Sequence, residues 1–195
     1  MNVSFDIKKV PFARMFNMIQ SKQANFGTPI LFLKDPNAIK QLPFDYSTVV
    51  IDRMCFILYT NKSKAIEVDN LKNGNSKKYQ IESDIGNMQM FNFATTPSTN
   101  VFASLKKVND GLIDGYIMGI APTDDILKAN KDSMKNIKRQ LWDIYDMGFI
   151  IQKGAKGGQD DKLLSAGMKK MFDSGKFRKI MGDTSAVETY VDWQL

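Results

Sequence analysis

The sequence predicts an α/β fold with two similar lobes, and two stretches of the chain lead to this prediction. In residues 98–120, apolar side chains recur at helical spacing until Gly111, and an apolar, β-branched strand follows. Near the N-terminus, a second apolar helical stripe ends at about Ser21 and leads to a strand that begins near Ala24. Because helix, glycine and strand form half of a parallel α/β unit, the pair indicates two related lobes. Any two αβ units look alike, so coincidental similarity stays open.

Before residue 60, the sequence predicts one helix and three strand regions. Alternating apolar residues favour a strand over 2–7, and Pro11 suits the start of a helix that ends near Ser21. A strand with an internal proline is expected at 24–33, followed by a loop at 34–46 that is rich in turn residues. The longest β-like stretch, 48–59, is one bent strand or two.

After residue 60, helices and short strands alternate. The connection at 61–78 is expected to be exposed, with Leu71 as its one buried anchor. Short polar side chains suit helix starts, so Ser98 or Thr99, Thr123 and Asp160 are expected to cap three helices. The remaining elements expected are a strand at 79–83, a short helix at 88–93, strands at 137–145 and 148–152, a loop at 153–158, and a short helix at 176–181 after Gly175 ends the capped one.

The composition excludes several classes of protein. Apolar residues make up 43% and charged residues 25%, as in an ordinary globular domain, and no apolar run is long enough for a membrane span. The net charge of +6 comes from scattered lysines with acids between them, so no nucleic-acid partner is expected. The single cysteine, Cys55, lies in an apolar run and is expected to be a buried, inert thiol, and most of the twelve methionines are expected to fill the core.

The chain contains no histidine, which removes Ser-His-Asp and Cys-His catalysis and the imidazole ligands of metals. We therefore expect no enzyme, no metal and no cofactor, although a carboxylate-only or lysine-based enzyme stays open.

Three motifs, in this order, match one protein family. Residues 10–14, VPFAR, resemble the "P-aromatic-x-R" start of a lobe-one helix, and residues 108–117 resemble the "L-x-x-G-x-x-D-a" helix-to-strand signature of lobe two. Residues 161–182 are similar to the closing helices, with their "l-x-x-G-x-f-x-x-I" pattern. Together they resemble the extracellular solute-binding proteins of amino-acid ABC transporters, family 3, with the type II periplasmic-binding fold.

The resemblance implies two α/β lobes that capture a ligand between them. Lobe one would contain residues 1–60 and 147–195 and lobe two residues 61–146, with hinges near 54–61 and 143–149. Lobe one lacks the family's first strand and helix, so a partner chain such as a second copy is expected to cover an exposed sheet edge. The family implies a periplasmic or extracytoplasmic location, although no signal peptide is present at Met1.

The family's two charged contacts to an α-amino acid are missing. Its arginine for the ligand carboxylate would stand at Ala38, and nearby Lys40 lacks the planar fork that grips a carboxylate with two bonds. Its acid for the α-ammonium would stand at Gly119. The resemblance therefore implies a non-catalytic solute-binding protein for an ABC permease or a sensor, with a small-molecule ligand that is not a standard α-amino acid.

The expected ligand contacts are aromatic, small polar or backbone groups, together with one arginine that could equally form a salt bridge within the fold. They are Phe12, Arg14, Ser83, Gly86, Asn87, Thr95, Gly119 and Tyr145. The alternative function is a cytoplasmic ligand-sensing domain of LysR-effector type, which the absence of a signal peptide permits. The absence of a helix-turn-helix segment argues against a complete regulator.

Overall fold

The computed structural model describes residues 6–182 and 192–194. Within these residues the chain forms helices and strands in alternation, with short 3₁₀ turns between some of them. In order, they are α1 (Phe12–Gln20), β1 (Phe26–Leu31), α2 (Pro36–Gln41), β2 (Phe44–Asn61), α3 (Val68–Lys72), β3 (Ile81–Asp84), β4 (Thr96–Ser98), α4 (Val101–Asn109), β5 (Gly115–Gly119), α5 (Ile120–Ala129), β6 (Ile137–Gln152), α6 (Gln159–Asp173) and α7 (Lys176–Met181).

The chain divides into two compact units. Unit 1 contains Met1–Ile51 and Met147–Phe177, and unit 2 contains Asp52–Asp146 and Arg178–Leu195. The first division lies earlier than the predicted one at residue 60, because the second half of β2 pairs with β5 of unit 2, from Phe56 with Gly119 to Thr60 with Gly115. The described residues 178–182 and 192–194 were expected in lobe one and are grouped with unit 2.

Unit 1 is built on an antiparallel pair of strands covered by α1. Strand β1 pairs with the second half of β6, from Phe26 with Ile151 to Leu31 with Met147. The buried side chains of α1, Met15 and Ile19, join Phe44, Tyr46 and Ile150 in one core cluster.

The core of unit 1 requires Gly27 in β1, because a Cβ atom at that position would lie 2.8 Å from Met15 Cγ and 3.0 Å from Ile150 Cγ1.

Unit 2 contains a mixed sheet in the order β2-β5-β3-β4. Strand β3 is parallel to both β5 and β4, whereas β2 and β5 are antiparallel. The core cluster on one face combines side chains from β2, α4, β5, α5 and β6 with those of neighbouring turns: Cys55, Ile57, Tyr59, Leu105, Val108, Ile113, Tyr116, Ile120, Leu127, Met134 and Ile137. Cys55 is fully buried, as predicted, and burial, with the nearby Asp52 carboxylate, raises its pKa.

Two strands, β2 and β6, run through both units without a break. The predicted break between a strand ending at Tyr145 and another beginning at Gly148 is wrong, because β6 continues from Ile137 to Gln152. Gly148 lies inside this strand, at a close backbone approach. A Cβ atom at position 148 would lie 2.6 Å from Phe32 Cζ and would also collide with the carbonyl oxygen of Val49.

The two predicted helix-to-strand units are confirmed, since α1 leads to β1 and α4 leads to β5. Both helices end in the same hydrogen-bonding motif. The N–H of Gln23 donates to Met18 O and that of Lys22 to Ile19 O, and after α4 the N–H of Leu112 donates to Lys107 O and that of Gly111 to Val108 O. This pattern is the Schellman motif, which needs a left-handed residue after the helix.

The two Schellman motifs differ in the residue that adopts the left-handed conformation. Gly111 has φ +70° and Lys22 has φ +61°, so a lysine takes the role in unit 1 that a glycine takes in unit 2. A side chain in this conformation costs about 1 kcal/mol.

Several local predictions are corrected by the structure. The expected loop at 34–46 contains α2, whose first turn is capped by the Asp35 carboxylate accepting from the Asn37 N–H. In the connection at 61–78, Leu71 is buried as expected, but Ile66 is buried too, so Leu71 is not its one anchor. The expected strand at 2–7 lies mostly outside the described residues.

The three predicted helix caps are also wrong. Asn100 caps α4, with its side-chain oxygen accepting from the Ala103 N–H. Thr123 lies inside α5, where its hydroxyl donates to Gly119 O, and Gly158 stands at the start of α6 in place of Asp160. In each case a polar residue near the helix start was identified, but its position relative to the first turn was not.

A buried carboxylate ties α6 to β2 in unit 1. Asp161, 1% exposed, accepts hydrogen bonds from Ser47 Oγ at 2.5 Å, the Thr48 N–H at 3.2 Å and the Gly157 N–H at 2.8 Å. Burial by itself would raise the pKa of this carboxyl group. The hydrogen bonds from Ser47, Gly157 and Thr48 together lower it by a larger amount, so the pKa lies below its ordinary value. The charged form is therefore the one that stabilises unit 1.

We expect Asp161→Asn to lower the free energy of unfolding by about 2 kcal/mol at pH 7, because hydrogen bonds to a buried charged acceptor are lost. The folded-state pKa is lowered, so this stability is present above the unfolded pKa of about 3.9 and is lost as the pH falls through the folded pKa. Urea denaturation at pH 7 and at pH 3 should therefore show a smaller difference between wild type and variant at the lower pH. Asp173→Asn, at an exposed i,i+4 pair, is the control and should change stability by less than about 0.5 kcal/mol.

Exchanging the left-handed residues that follow α1 and α4 should change the unfolding free energy in opposite directions. We expect Lys22→Gly to raise the unfolding free energy by up to about 1 kcal/mol and Gly111→Lys to lower it by about as much. Lys22→Ala, which removes the charge and keeps the Cβ atom, should have little effect. Urea denaturation of the three variants checks this, and changes of the same sign at both positions would contradict the common motif.

Candidate functional site

The carboxyl ends of two parallel strands meet at one edge of the sheet in unit 2. Ser83 of β3 is level with Ile117 of β5, so both strands end at this edge, with Asp84 and Gly119 as their last residues. Open α/β sheets bind ligands at the carboxyl ends of their strands. Residues 85–95, which we call the 85–95 loop, leave the sheet here, and α5 begins here.

Three of the expected ligand contacts anchor the 85–95 loop from inside. The hydroxyl groups of Ser83 and Thr95 lie 2.7 Å apart and close the two ends of the loop, and both residues are buried. The Tyr145 hydroxyl donates to the carbonyl oxygen of Met90 at 3.0 Å. Burial raises the pKa of Tyr145, so its phenol keeps the proton that it donates. These side chains determine the shape of the loop.

The backbone N–H groups expected to bind a ligand are already used. Asp84 Oδ1 accepts from the Gly86 N–H at 2.8 Å, and Asp84 O accepts from the Asn87 N–H at 2.9 Å. The side-chain amide of Asn87 is different, since its one described contact is a long one, 3.6 Å from Nδ2 to Met118 Sδ. At this position the side chain of Asn87, rather than the backbone, offers donors to a ligand.

Methionines surround the position of the missing acid at Gly119. A Cβ atom at position 119 would lie 2.9 Å from Met54 Sδ, so the thioether of Met54 occupies the space of a side chain there. Met118 is half-buried beside it. Helix α5 starts at Ile120, with Gly119 as an N-cap that offers no side chain and with no acid in its first turn. Around Gly119 the edge is therefore apolar, and the family's acid has no counterpart at this position.

The two expected contacts in unit 1 both lie on α1. Phe12 is 57% exposed and Arg14 is exposed. Arg14 forms no hydrogen bond or ion pair with any residue that the structure describes, so the alternative of a salt bridge within the fold is not observed there. It lines a shallow surface depression along α1 together with Asn17, Met18, Gln20, Ser21 and Gln23.

Sequence reasoning missed the aromatic cluster behind the 85–95 loop. Phe91 and Phe93 of the loop pack edge-on against Trp142, with ring centroids 6.2 and 5.6 Å apart, and Phe56 packs on Tyr145 at 5.2 Å. The aromatic letters were visible in the sequence, but the strands that bring them together are far apart in the chain. The turn at 84–87 was predicted, as an Asp two residues before a glycine is typical of one, but Asp84 was not among the expected ligand contacts.

The described residues include no cluster of acidic or cysteine side chains that could hold a metal ion. At the edge of unit 2 the half-buried groups include the Asn87 amide, the Asp84 carboxylate, whose Oδ1 accepts from the Gly86 N–H, and the thioethers of Met54 and Met118. These groups can bind a small molecule by hydrogen bonds and apolar contact.

No protein-family model and no curated protein sequence matches the chain. Solved structures do match, and the fold is that of periplasmic binding proteins. The structure of EhuB in complex with hydroxyectoine is 15% identical, with a TM-score of 0.61, and the match covers 93% of this chain and 74% of EhuB. ArtJ, the arginine-, lysine- and histidine-binding protein of Geobacillus stearothermophilus, is 15% identical, with a TM-score of 0.57 and coverage of 92% and 77%.

A third similar structure belongs to a signalling protein. It is a histidine kinase sensor domain with similarity to periplasmic binding proteins, 13% identical, with a TM-score of 0.56 and coverage of 87% and 73%. At these identities the similarity establishes the fold, and the resemblance inferred from the three sequence motifs is confirmed at that level. Among the described helices, none combines the length and the apolar character that crossing a membrane requires.

We expect Tyr145→Phe to lower the unfolding free energy by about 1 kcal/mol, since the buried hydrogen bond to Met90 O is lost. Amide hydrogen exchange in residues 88–93 should become faster in the same variant. Tyr79→Phe is the control at a half-exposed tyrosine and should change neither quantity. Unchanged stability and exchange in Tyr145→Phe would instead show that the hydroxyl group does not anchor the loop.

Proposed function

We propose that this chain is a non-catalytic solute-binding protein or domain that captures a small molecule for an ABC transporter or a sensor. The fold supports the proposal, because similar structures include a transporter's binding protein and a sensor domain. The observation that carries it is the carboxyl edge of unit 2, where an apolar surface and one available amide follow two parallel strands. An extracytoplasmic location is part of the proposal and rests on the same similarity.

We further propose that the ligand is not a standard α-amino acid. In unit 2 the Met54 thioether fills the space at Gly119 where an acid would meet an α-ammonium group. In unit 1 the helix α2 carries Ala38, which is half-buried, at the position of the carboxylate-binding arginine, and no guanidinium is present on α2. A zwitterionic ligand would therefore find no acid for its ammonium group at position 119 and no arginine for its carboxylate group at position 38. One oxygen of Asp84 remains as an acceptor, so a neutral solute or an amine without a carboxylate fits the edge of unit 2.

Two expectations accompany this proposal. Strand β1 pairs with β6 and with no other described strand, so coverage of its second edge by another copy stays a prediction. The alternative of a LysR-type effector domain also stays a prediction, since no observation favours it.

Thermal-shift screening of the whole chain tests the ligand class. A ligand at 100 times its Kd stabilises the folded state by about 2.7 kcal/mol, which raises Tm by several degrees. We expect no shift with the standard amino acids and a shift with neutral solutes or amines in a panel that also contains small carboxylates and oligopeptides. A shift of that size with an ordinary amino acid would contradict the assignment of Ala38 and Gly119.

A matched pair of variants then tests the site. Asn87→Ala should weaken binding of the solute found in the screen about tenfold, because one hydrogen bond is lost. Asn92→Ala, an exposed asparagine in the same loop, should bind like the wild type. Equal calorimetric affinities for both variants would remove Asn87 from the site.

A further inference from the structure

The last residue of β4, Ser98, lies beside Asp84 at the carboxyl edge of unit 2. Strands β3 and β4 are parallel, and Asp84 and Ser98 are partners in their register. Side chains at paired positions of neighbouring strands leave the sheet on the same face, and the strands lie about 4.8 Å apart. Both residues are half-buried, so part of each stays accessible to a ligand.

A buried chain of hydrogen bonds ends at the Ser98 hydroxyl group. It begins at Glu82, which is 4% exposed. Glu82 Oε1 accepts from Lys107 Nζ at 2.7 Å, and Glu82 Oε2 accepts from Ser104 Oγ at 2.6 Å. Ser104 is 1% exposed, and its Oγ lies 2.7 Å from Ser98 Oγ.

The direction of this chain follows from the number of protons in it. A carboxylate has no proton to donate, and a hydroxyl group has one. Because Ser104 gives its proton to Glu82, Ser98 must be the donor between the two serines. The carbonyl oxygen of Asn100 lies 3.4 Å from Ser98 Oγ, too far to compete for this proton. Ser98 therefore has no proton left for a ligand and can only accept from one.

The charges around Ser98 agree with a ligand that donates hydrogen bonds. Asp84 Oδ1 accepts from the Gly86 N–H, whereas none of the described residues donates to Asp84 Oδ2. Burial raises the pKa of Tyr116, and the nearby Asp84 and Glu82 carboxylates raise it further. The start of α4 favours an anion, but it carries only about half a charge, against the full charge of the Asp84 carboxylate.

We propose that Ser98 Oγ and Asp84 Oδ2 form an acceptor subsite for an ammonium group of the ligand, with Glu82 as the positioning residue that keeps Ser98 an acceptor. The subsite rests on the proposed function, and it narrows the ligand class from neutral solutes and amines to amines. A carboxylate group would meet two acceptors there and no donor.

Glu82→Gln should reverse the chain of hydrogen bonds while keeping the shape of the side chain. The Lys107 ammonium group has only donors, so it holds the oxygen of the new amide. The amide nitrogen then takes the place of Oε2 and donates to Ser104, which in turn donates to Ser98. The Ser98 proton is left to face the ligand, where it opposes an ammonium group.

Titration of the full chain with ethylammonium chloride, followed by amide NMR shifts, tests the subsite. We expect saturable shifts at residues 84–87 and 98–100, and none with sodium acetate at the same ionic strength. Ser98→Ala should weaken ethylammonium binding about tenfold, because one hydrogen bond is lost. Ser98→Thr keeps the hydroxyl group and should bind like the wild type, as should Thr99→Ala at the exposed neighbouring residue.

A double-mutant cycle tests the role of Glu82. Glu82→Gln should weaken ethylammonium binding at least as much as Ser98→Ala does. Most of this effect should vanish in the Ser98→Ala background, because Glu82 acts through the Ser98 hydroxyl group. An effect of equal size in both backgrounds would show that Glu82 acts by its charge alone and would overturn its positioning role.

The outcomes distinguish the subsite from the proposed function. Absent ethylammonium shifts, equal shifts with acetate, or equal affinities of Ser98→Ala and Thr99→Ala would overturn the subsite, whatever the thermal-shift screen finds. Ethylammonium binding at the subsite, without a response to any solute in that screen, would support the subsite and contradict solute capture. If Glu82→Gln does not fold, the affinities of the Ser98 and Thr99 variants decide.

Discussion

Burial of the second half of β2 on both of its faces is the constraint on which unit 2 depends. Every residue from Cys55 to Asn61 is buried. Ile57 and Tyr59 face the cluster formed with α4 and α5, whereas Phe56 packs against Tyr145 and Phe91. A strand covered on both sides is apolar over most of its length, here from Cys55 to Tyr59, and this strand links the helical core to the loop of the candidate site. The site is thus supported by the same strand that forms the core.

The sequence was sufficient for the elements whose apolar residues recur over a long stretch. The succession of α1 and β1, and that of α4 and β5, was predicted because apolar residues recur with a clear period in a helical stripe and in a buried strand. The short helix α2 and the exact cap at Asn100 were not predicted. For the cap, the reason is that several polar residues near a helix start can serve in this role. The choice among Ser98, Thr99 and Asn100 depends on tertiary packing, which the local sequence does not contain.

The candidate site shows the same limit more sharply. Ser83, Thr95 and Tyr145 were predicted as ligand contacts, whereas in the structure Ser83 is hydrogen-bonded to Thr95 and Tyr145 donates to Met90 O in the 85–95 loop. Residue type indicates the capacity to form a hydrogen bond and does not identify the partner. The contacts of Met54 with Gly119 and of Trp193 with Asp124 join residues far apart in the chain, so no local pattern signals them. Fold similarity at low sequence identity likewise does not identify the ligand, because the choice of ligand depends on a few contacts of this kind.

The discontinuous composition of unit 1 has a consequence for synthesis on the ribosome. Residues up to Ile51 emerge first, but their strand partner in β6 and the Asp161 carboxylate follow only after all of 52–146 has been made. The central segment can collapse around β2, β3 and β5 while the earlier one still lacks its neighbours. Until β6 is made, the core cluster that α1 forms with Phe44 and Tyr46 therefore lacks Ile150, and β1 lacks its strand partner.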